Sequence, residues 1–396
     1  MNNRRGQPSP RLWAARAGVA ERAIHARHLR RLWGAPDTLI AVVSWPPTPE
    51  RRLFMHWDYW WQAHVLDCLV DAYQRAPSPA RRSAINRLVR GIHWRNTHWT
   101  NRYFDDMAWL GLALLRAQRS GALRPQPAVL TLAGELRQAW TDQGGGGIWW
   151  RRRDDFKNVP ANGPAAILLA RLSDQDGSDQ DGSDQDGGVP AALERARSTV
   201  EWIEENLVDP VTGLVWDGLH VRADGTIRRV DKTTYSYCQG VFLGACVELA
   251  SRADAADVGR WASRAARTIN AVVEHLTVPN EDGPVVRGQG GGDGGLFAGI
   301  LARYLAQAAV ALPRCGAEYA EAGRRAAALV FSSGEAAWRN RAIAWGGPLF
   351  GPEWAKVAVL PGRVPRPERD LSVQTSGWML LEAAAFLERA EADRSS

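Results

Sequence analysis

The chain has 396 residues, 45% of them hydrophobic, and a formal charge of +6. That length buries a large core and is long for one ordinary domain unless the fold is a closed toroid or barrel. The charge is almost wholly arginine, with Lys157, Lys232 and Lys356 the only lysines among 49 basic residues. It reads as a compositional bias, and with no recognised module or aromatic-basic repeat beside it nucleic-acid binding is set aside.

The N-terminal stretch holds Arg4 and Arg5 but no uninterrupted apolar run after them, so the chain as written shows no signal peptide and reads as cytoplasmic. A start codon placed wrongly would leave secretion open. No stretch reads as long and apolar enough to span a membrane. Helical periodicity dominates from there, and strand-like alternation is scarce.

A first helix is predicted from about Pro10 to Leu32, followed by a loop with Pro46, Pro47 and Pro49. HWDYWWQAHVLDCLVDAYQ carries apolar positions at helical spacing and ends near Pro77; RRSAINRLVRGIHWRN is a shorter helix, and another is led by Asp105 and Asp106. Helices are predicted over 128–141, 161–172 and 190–206, then over 234–252, 254–276, 294–311 and 315–331, and SVQTSGWMLLEAAAFLERA closes the chain. Residues 173–187 are three copies of SDQDG, whose polarity predicts a flexible loop over 173–188. The DxDG pattern lacks the apolar anchor and helical frame of a calcium site.

Apolar, small-residue helices alternate with more charged ones. A double ring explains this, with inner helices covered on nearly all sides and outer ones keeping a solvated face. Inner candidates begin near Trp57, Asp105, Asn162, Tyr235, Gly294 and Ser372. The predicted architecture is an all-α (α/α)6 toroid, a single domain over 1–396, with inner-helix N-termini gathered round one mouth.

Asp105 and Asp106 are the leading chemical candidates, because a neighbouring carboxylate pair is the minimum apparatus for breaking a glycosidic bond with retention. Close carboxyls resist simultaneous ionisation, so one pKa should rise. A second pair, Asp154 and Asp155, sits among arginines and reads as a salt-bridged loop. Nineteen tryptophans are clustered, Trp57, Trp60, Trp61, Trp94 and Trp99 before the acidic pair and Trp149 and Trp150 after a glycine run. Their faces suit the C–H faces of sugars. Gly144 to Gly147 lacks the lysine and strand frame of a phosphate loop and reads as a tight turn into that tryptophan wall. Tyr237 and Gln239, polar positions in an apolar helix, face a cleft or need an internal partner. Asp293 lies between glycines at a helix start, and Gln374 is the sixth-helix candidate. The histidines His56, His64, His93 and His98 lack metal spacing, and Cys68, Cys238, Cys246 and Cys315 show neither zinc nor disulfide patterning. No metal or organic cofactor is expected.

The segments YFDDMAWLGLALLRA, GGGIWWRRRDDFKNVPANGPAAILLARL, GLVWDGL and TYSYCQGVFLGACVELA, with the weaker GDGGLFAGILARYLA and QTSGWMLLEAA, resemble glycoside hydrolase family 76, the endo-acting α-1,6-mannanases. The resemblance covers most of residues 55–385 and implies an (α/α)6 fold, Asp105 as nucleophile, Asp106 as acid/base, Asn158 and Asn162 as the family's asparagines, and a mannose-containing glycan as substrate. The chain departs from the family at Ser236-Tyr237-Cys238-Gln239-Gly240, where Asn is usual at position 238, and at Ala298-Gly299-Ile300-Leu301, where Lys-Gly-Ile-Phe is usual. The alternatives are a non-catalytic glycan-binding protein or another (α/α)6 carbohydrate enzyme such as an epimerase. Oligomeric state is not legible.

Overall fold

The computed structural model describes residues 11–125, 127–174, 189–362 and 366–395. The SDQDG loop predicted over 173–188 falls outside the described residues from position 175 onward. Twelve long helices dominate the described chain: α1 Leu12–Arg27, α2 Tyr59–Arg75, α3 Pro79–Asn96, α4 Phe104–Arg119, α5 Ala128–Gln138, α6 Val159–Leu172, α7 Val189–Leu207, α8 Ser236–Ala250, α9 Val258–His275, α10 Gly294–Cys315, α11 Ala320–Arg339 and α12 Leu371–Ser395. Short antiparallel ribbons decorate the loops, the largest a three-stranded sheet of Phe156–Asn158, Gly218–Val221 and Ile227–Asp231.

The even-numbered helices form the inner ring. Each packs on the next, α2 on α4, α4 on α6 and so on to α10 on α12, and α12 packs back on α2. The odd-numbered helices lie outside, each against an inner partner, so the fold is an (α/α)6 barrel. Composition dictates the division. Inner α8, SYCQGVFLGACVELA, is buried nearly all round, and a Cβ at Gly240 or Gly244 would meet the Leu301 backbone or the Tyr304 ring at under 3.0 Å. Outer α9 buries one stripe, including Trp261, Ala265, Ile269 and Val272, and leaves Arg260, Ser263 and Asn270 exposed. The ring is closed by the chain's two ends: Glu388 of α12 accepts the free N–H groups of Trp13 and Ala14 at the start of α1, each at 3.0 Å.

One expectation needs correcting. Helix α10 is by length and composition long and apolar enough to cross a membrane, but 83% of its most apolar window is buried inside the protein, as an inner-ring position requires.

A repeated device joins the inner ring to the loops at the mouth. Gln62, Asn162, Gln239 and Gln374 are each the fourth residue of an inner helix. Each side-chain amide accepts the N–H and donates to the C=O of a single loop residue, namely Ala41, Ile148, Val215 and Phe350, at 2.7–3.0 Å. The amide thus imitates a β-strand partner for one residue. Asn162→Leu would leave the Ile148 N–H and C=O buried without partners, so it should destabilise the protein by about 2–4 kcal/mol in denaturant unfolding. A loss under about 0.5 kcal/mol would contradict this.

The opposite end of the ring is shut by charge. Arg303 binds Asp67 at 3.2 Å and Asp71 at 2.6 Å, Arg116 bonds both carboxylates, and Arg75 links Glu382 at 2.9 Å to Glu21 at 2.7 Å. The axis is therefore a blind groove open at the helix N-termini.

Candidate active site

Helix α4 begins where three contacts fix its entry. Asn101 Oδ1 accepts the Tyr103 N–H at 2.8 Å, Tyr103 pairs with Arg151, and the Phe104 N–H donates to the Trp150 carbonyl at 2.9 Å. Asp105 and Asp106 follow in the first turn, where unpaired N–H groups and the helix dipole favour negative charge.

The two carboxyls are treated differently. Asp105 Oδ1 accepts the Asp106 N–H at 2.9 Å and Oδ2 accepts the Trp150 indole N–H at 3.0 Å. Asp106 Oδ2 accepts only the Asn101 side-chain amide, at 2.5 Å. Burial pushes Asp105 up to about 6, with its hydrogen bonds pulling the other way. Burial pushes Asp106 well above the ordinary carboxylate range, and the charge of Asp105 adds to the push. As the pH falls, Asp106 therefore takes up its proton first and Asp105 stays the anion.

Both face a groove of ≈ 740 Å³ that five of the six inner helices line with their first turns or the residues just before them. One wall is aromatic: Tyr237 stacks on Phe297 with centroids 3.9 Å apart, Trp60 leans on both at 6.5 Å, and Tyr235 meets Phe297 edge-on. Asp293 is tied into this wall, its Oδ1 accepting the indole N–H groups of Trp60 at 3.2 Å and Trp61 at 3.0 Å. Across from them stands Trp150, edge-on to Tyr103 and Phe156. Under the floor, His64 packs on Trp109 and Trp60, and burial pushes its pKa down to about 3, so it is neutral there.

Two further carboxyls, neither of them evident as a candidate from the sequence, line the groove. Asp217 is pushed up to about 7, first by burial and then by Asp231, and the Cys238 thiol lies 3.8 Å from its Oδ1. Asp58, just before α2, is raised by burial and then by Asp293. The one hint of Asp217 is a single acid between Trp216 and Gly218 in an otherwise apolar run.

The structure brings Trp60, Asn158, Tyr237 and Asp293 to the groove with Asp105 and Asp106. Asn158 also caps α6, its Oδ1 accepting the Ala161 N–H at 3.2 Å. Four expected contributors do not line it. Asn162, Gln239 and Gln374 are consumed by the loop residues they clasp, and Trp149 lies over the Lys157 ammonium, 4.6 Å from its ring centre, leaving Trp150 to face the groove. The second acidic pair is engaged by neighbours: Asp154 in an ion pair with Arg151, and Asp155 in an ion pair with Arg228 at 2.9 Å and a hydrogen bond with His220 at 2.8 Å. Among the described residues no group of three or more His, Cys, Asp or Glu could hold a metal ion.

The chain is thus an (α/α)6 barrel protein whose aromatic-walled groove, with paired acids facing it, has the make-up of a carbohydrate site. The model of glycosyl hydrolase family 76 matches residues 28–360. The chain belongs to glycoside hydrolase family 76. It is 30% identical to the solved α-1,6-mannanase of Salegentibacter sp. HEL1_6, with a TM-score of 0.76 over 95% of this chain and 99% of that one. An inactive variant of that mannanase, with two consecutive aspartates changed to asparagine and α-1,6-mannotriose bound, matches at 29% identity with the same TM-score and coverage. The Lin0763 protein of Listeria innocua matches at 25% identity, TM-score 0.76, over 95% of this chain and 98% of its own. No curated protein matches the chain.

Proposed function

We propose that this protein is a retaining, endo-acting α-1,6-mannanase in which Asp105 is the nucleophile and Asp106 the acid/base. The single observation that carries the reading is the unequal treatment of the pair: two N–H donors hold Asp105 as an anion, while burial beside that anion keeps a proton on Asp106. The mannotriose bound by the Salegentibacter variant supports the choice of substrate.

In the first step Asp105 attacks the anomeric carbon and the glycosidic C–O bond breaks, its electron pair going to the leaving oxygen, which takes the Asp106 proton. The sugar is then an ester of Asp105. Asp106, now a carboxylate, removes a proton from water, the water oxygen attacks the same carbon, and Asp105 leaves. Two inversions return the starting configuration. The open groove leaves room for chain on both sides of the cut, which favours internal cleavage.

Incubation with linear α-1,6-mannan should release a ladder of oligosaccharides early, before mannose accumulates; α-1,2- and α-1,3-linked mannobioses should stay intact. Reducing ends appearing only as mannose would overturn the endo assignment.

The pH profile follows from the same electrostatics. Asp105 must be ionised, so kcat/KM should fall as pH drops through about 6. Asp106 must be protonated, so the rate should fall again at higher pH as its proton is lost. Asp217 changes charge near a pH of about 7, and Asp217→Asn removes its share from the profile. A rate that stays flat below about pH 5 would contradict the role of Asp105.

A further inference from the structure

Lys157 is fully buried in a chain that otherwise uses arginine for nearly every cation. Its Nζ lies 2.6–2.9 Å from five oxygens: the Thr141 carbonyl and hydroxyl and the carbonyls of Gln143, Gly146 and Gly147. The face of Trp149, 4.6 Å away, adds a π-surface to the shell. The glycine run makes the oxygens converge. Gly144, Gly145, Gly146 and Gly147 all lie at positive φ, 67°, 79°, 128° and 85°. A Cβ at position 144, 146 or 147 would also press on Val221, Trp140 or Trp202 at 2.9 Å. A guanidinium is a planar fork and cannot sit at a point where five oxygens meet, whereas an ammonium can. Burial pulls the Lys157 pKa down to about 7, so the ammonium form gains population as the pH falls through that value.

We infer that Lys157 is a tethered cation that holds this oxygen cage together and, through it, positions Trp150 on Asp105; without the side chain's charge, the cage is a site for a monovalent cation of ammonium or potassium size. The path is short. The caged loop runs directly into Ile148, Trp149 and Trp150; Trp149 bridges to Lys157 itself; the Trp150 N–H donates to the Phe156 carbonyl at 2.9 Å; and the Trp150 indole donates to Asp105. Lys157 touches no groove residue through its ammonium, so it is a positioning residue. The positioning role rests on the proposed mannanase reaction, but the cage does not.

Lys157→Met shortens the side chain by one atom at the centre of the cage. It should lower kcat/KM on α-1,6-mannan by about 100-fold and lower Tm by roughly 5 °C or more. With Trp150 no longer held on Asp105, the acidic limb of the pH profile should move to higher pH, which general destabilisation would not do. Ammonium or potassium chloride should restore part of the activity and Tm, and choline chloride at equal ionic strength should restore neither. An unmoved pH limb, or equal effects of the three salts, overturns the inference.

Should the variant not fold, the unmodified protein still decides the matter. With only three lysines, ¹⁵N-lysine labelling at mildly acidic pH should show one slowly exchanging ammonium signal, while exposed Lys232 and Lys356 are lost to exchange. A Lys157 ammonium that exchanges as fast as the others overturns the cage. A wild-type protein that cleaves no mannan would end the proposed function while the salt dependence of Tm and the ammonium signal still tested the cage.

Discussion

Asp105→Ala should lower hydrolysis of α-1,6-mannan by roughly 10⁴-fold or more, because no other group on the groove floor replaces the attacking carboxylate. The loss should fall on kcat with little change in KM, since the proposed role of Asp105 is at the reacting carbon and the aromatic walls proposed to hold the chain are untouched. Azide fits the space vacated by a carboxylate. With an activated aryl α-1,6-mannobioside and azide present, the variant should form a β-glycosyl azide, the product of one inversion. An α-azide would assign the nucleophile to another residue.

Asp106→Asn should behave differently and separate the two roles. Mannan has a poor leaving group and, with Asp106 as the proposed acid, would need its proton, so cleavage should fall by about 10²–10⁴-fold. An aryl leaving group needs no proton. On the activated mannobioside the first step should survive, giving a burst of phenol, followed by a slow steady state because no base activates water against the Asp105 ester. The alkaline limb of the pH profile should vanish with the burst amplitude intact. Equal losses on both substrates would show that Asp106 is not the acid/base.

Much of the barrel is legible in the sequence because burial leaves a compositional trace. The six inner-helix starts read from residues near Trp57, Asp105, Asn162, Tyr235, Gly294 and Ser372 fall at Tyr59, Phe104, Val159, Ser236, Gly294 and Leu371. Helices covered on all sides must be apolar and small-residued, while outer ones retain a charged face. Asp105 and Asp106 are legible for a related reason. A helix packed on nearly every side has no solvated face for charge, so two adjacent acids in its first turn must open onto the mouth of the ring.

The clasping amides are not legible, because a buried polar side chain in an apolar helix carries no label for its partner. Gln239 needs hydrogen bonds, and a groove would supply them, but Val215, 24 residues earlier, supplies them instead. Gln374 and Phe350 stand at the same separation. Such a clasp is invisible until the loop is in place. The Trp149 and Trp150 pair shows the other limit. Adjacent extended residues point to opposite faces, so only one ring can enter the groove, and the Lys157 cage on the far side decides that it is Trp150. The groove acid Asp217 stands alone in its segment, with no neighbour to give it away.

If Asp105 bonds covalently to the sugar, as proposed, the reaction proceeds through two inversions. The most direct measurement is proton NMR of the anomeric signals during the first minutes of α-1,6-mannan hydrolysis, before mutarotation mixes the products. The α-anomer of the new reducing end should appear first, with the β-anomer growing in slowly at the mutarotation rate. A β-anomer formed first would contradict the account, because it would mean a single displacement by water and no role for Asp105 as nucleophile.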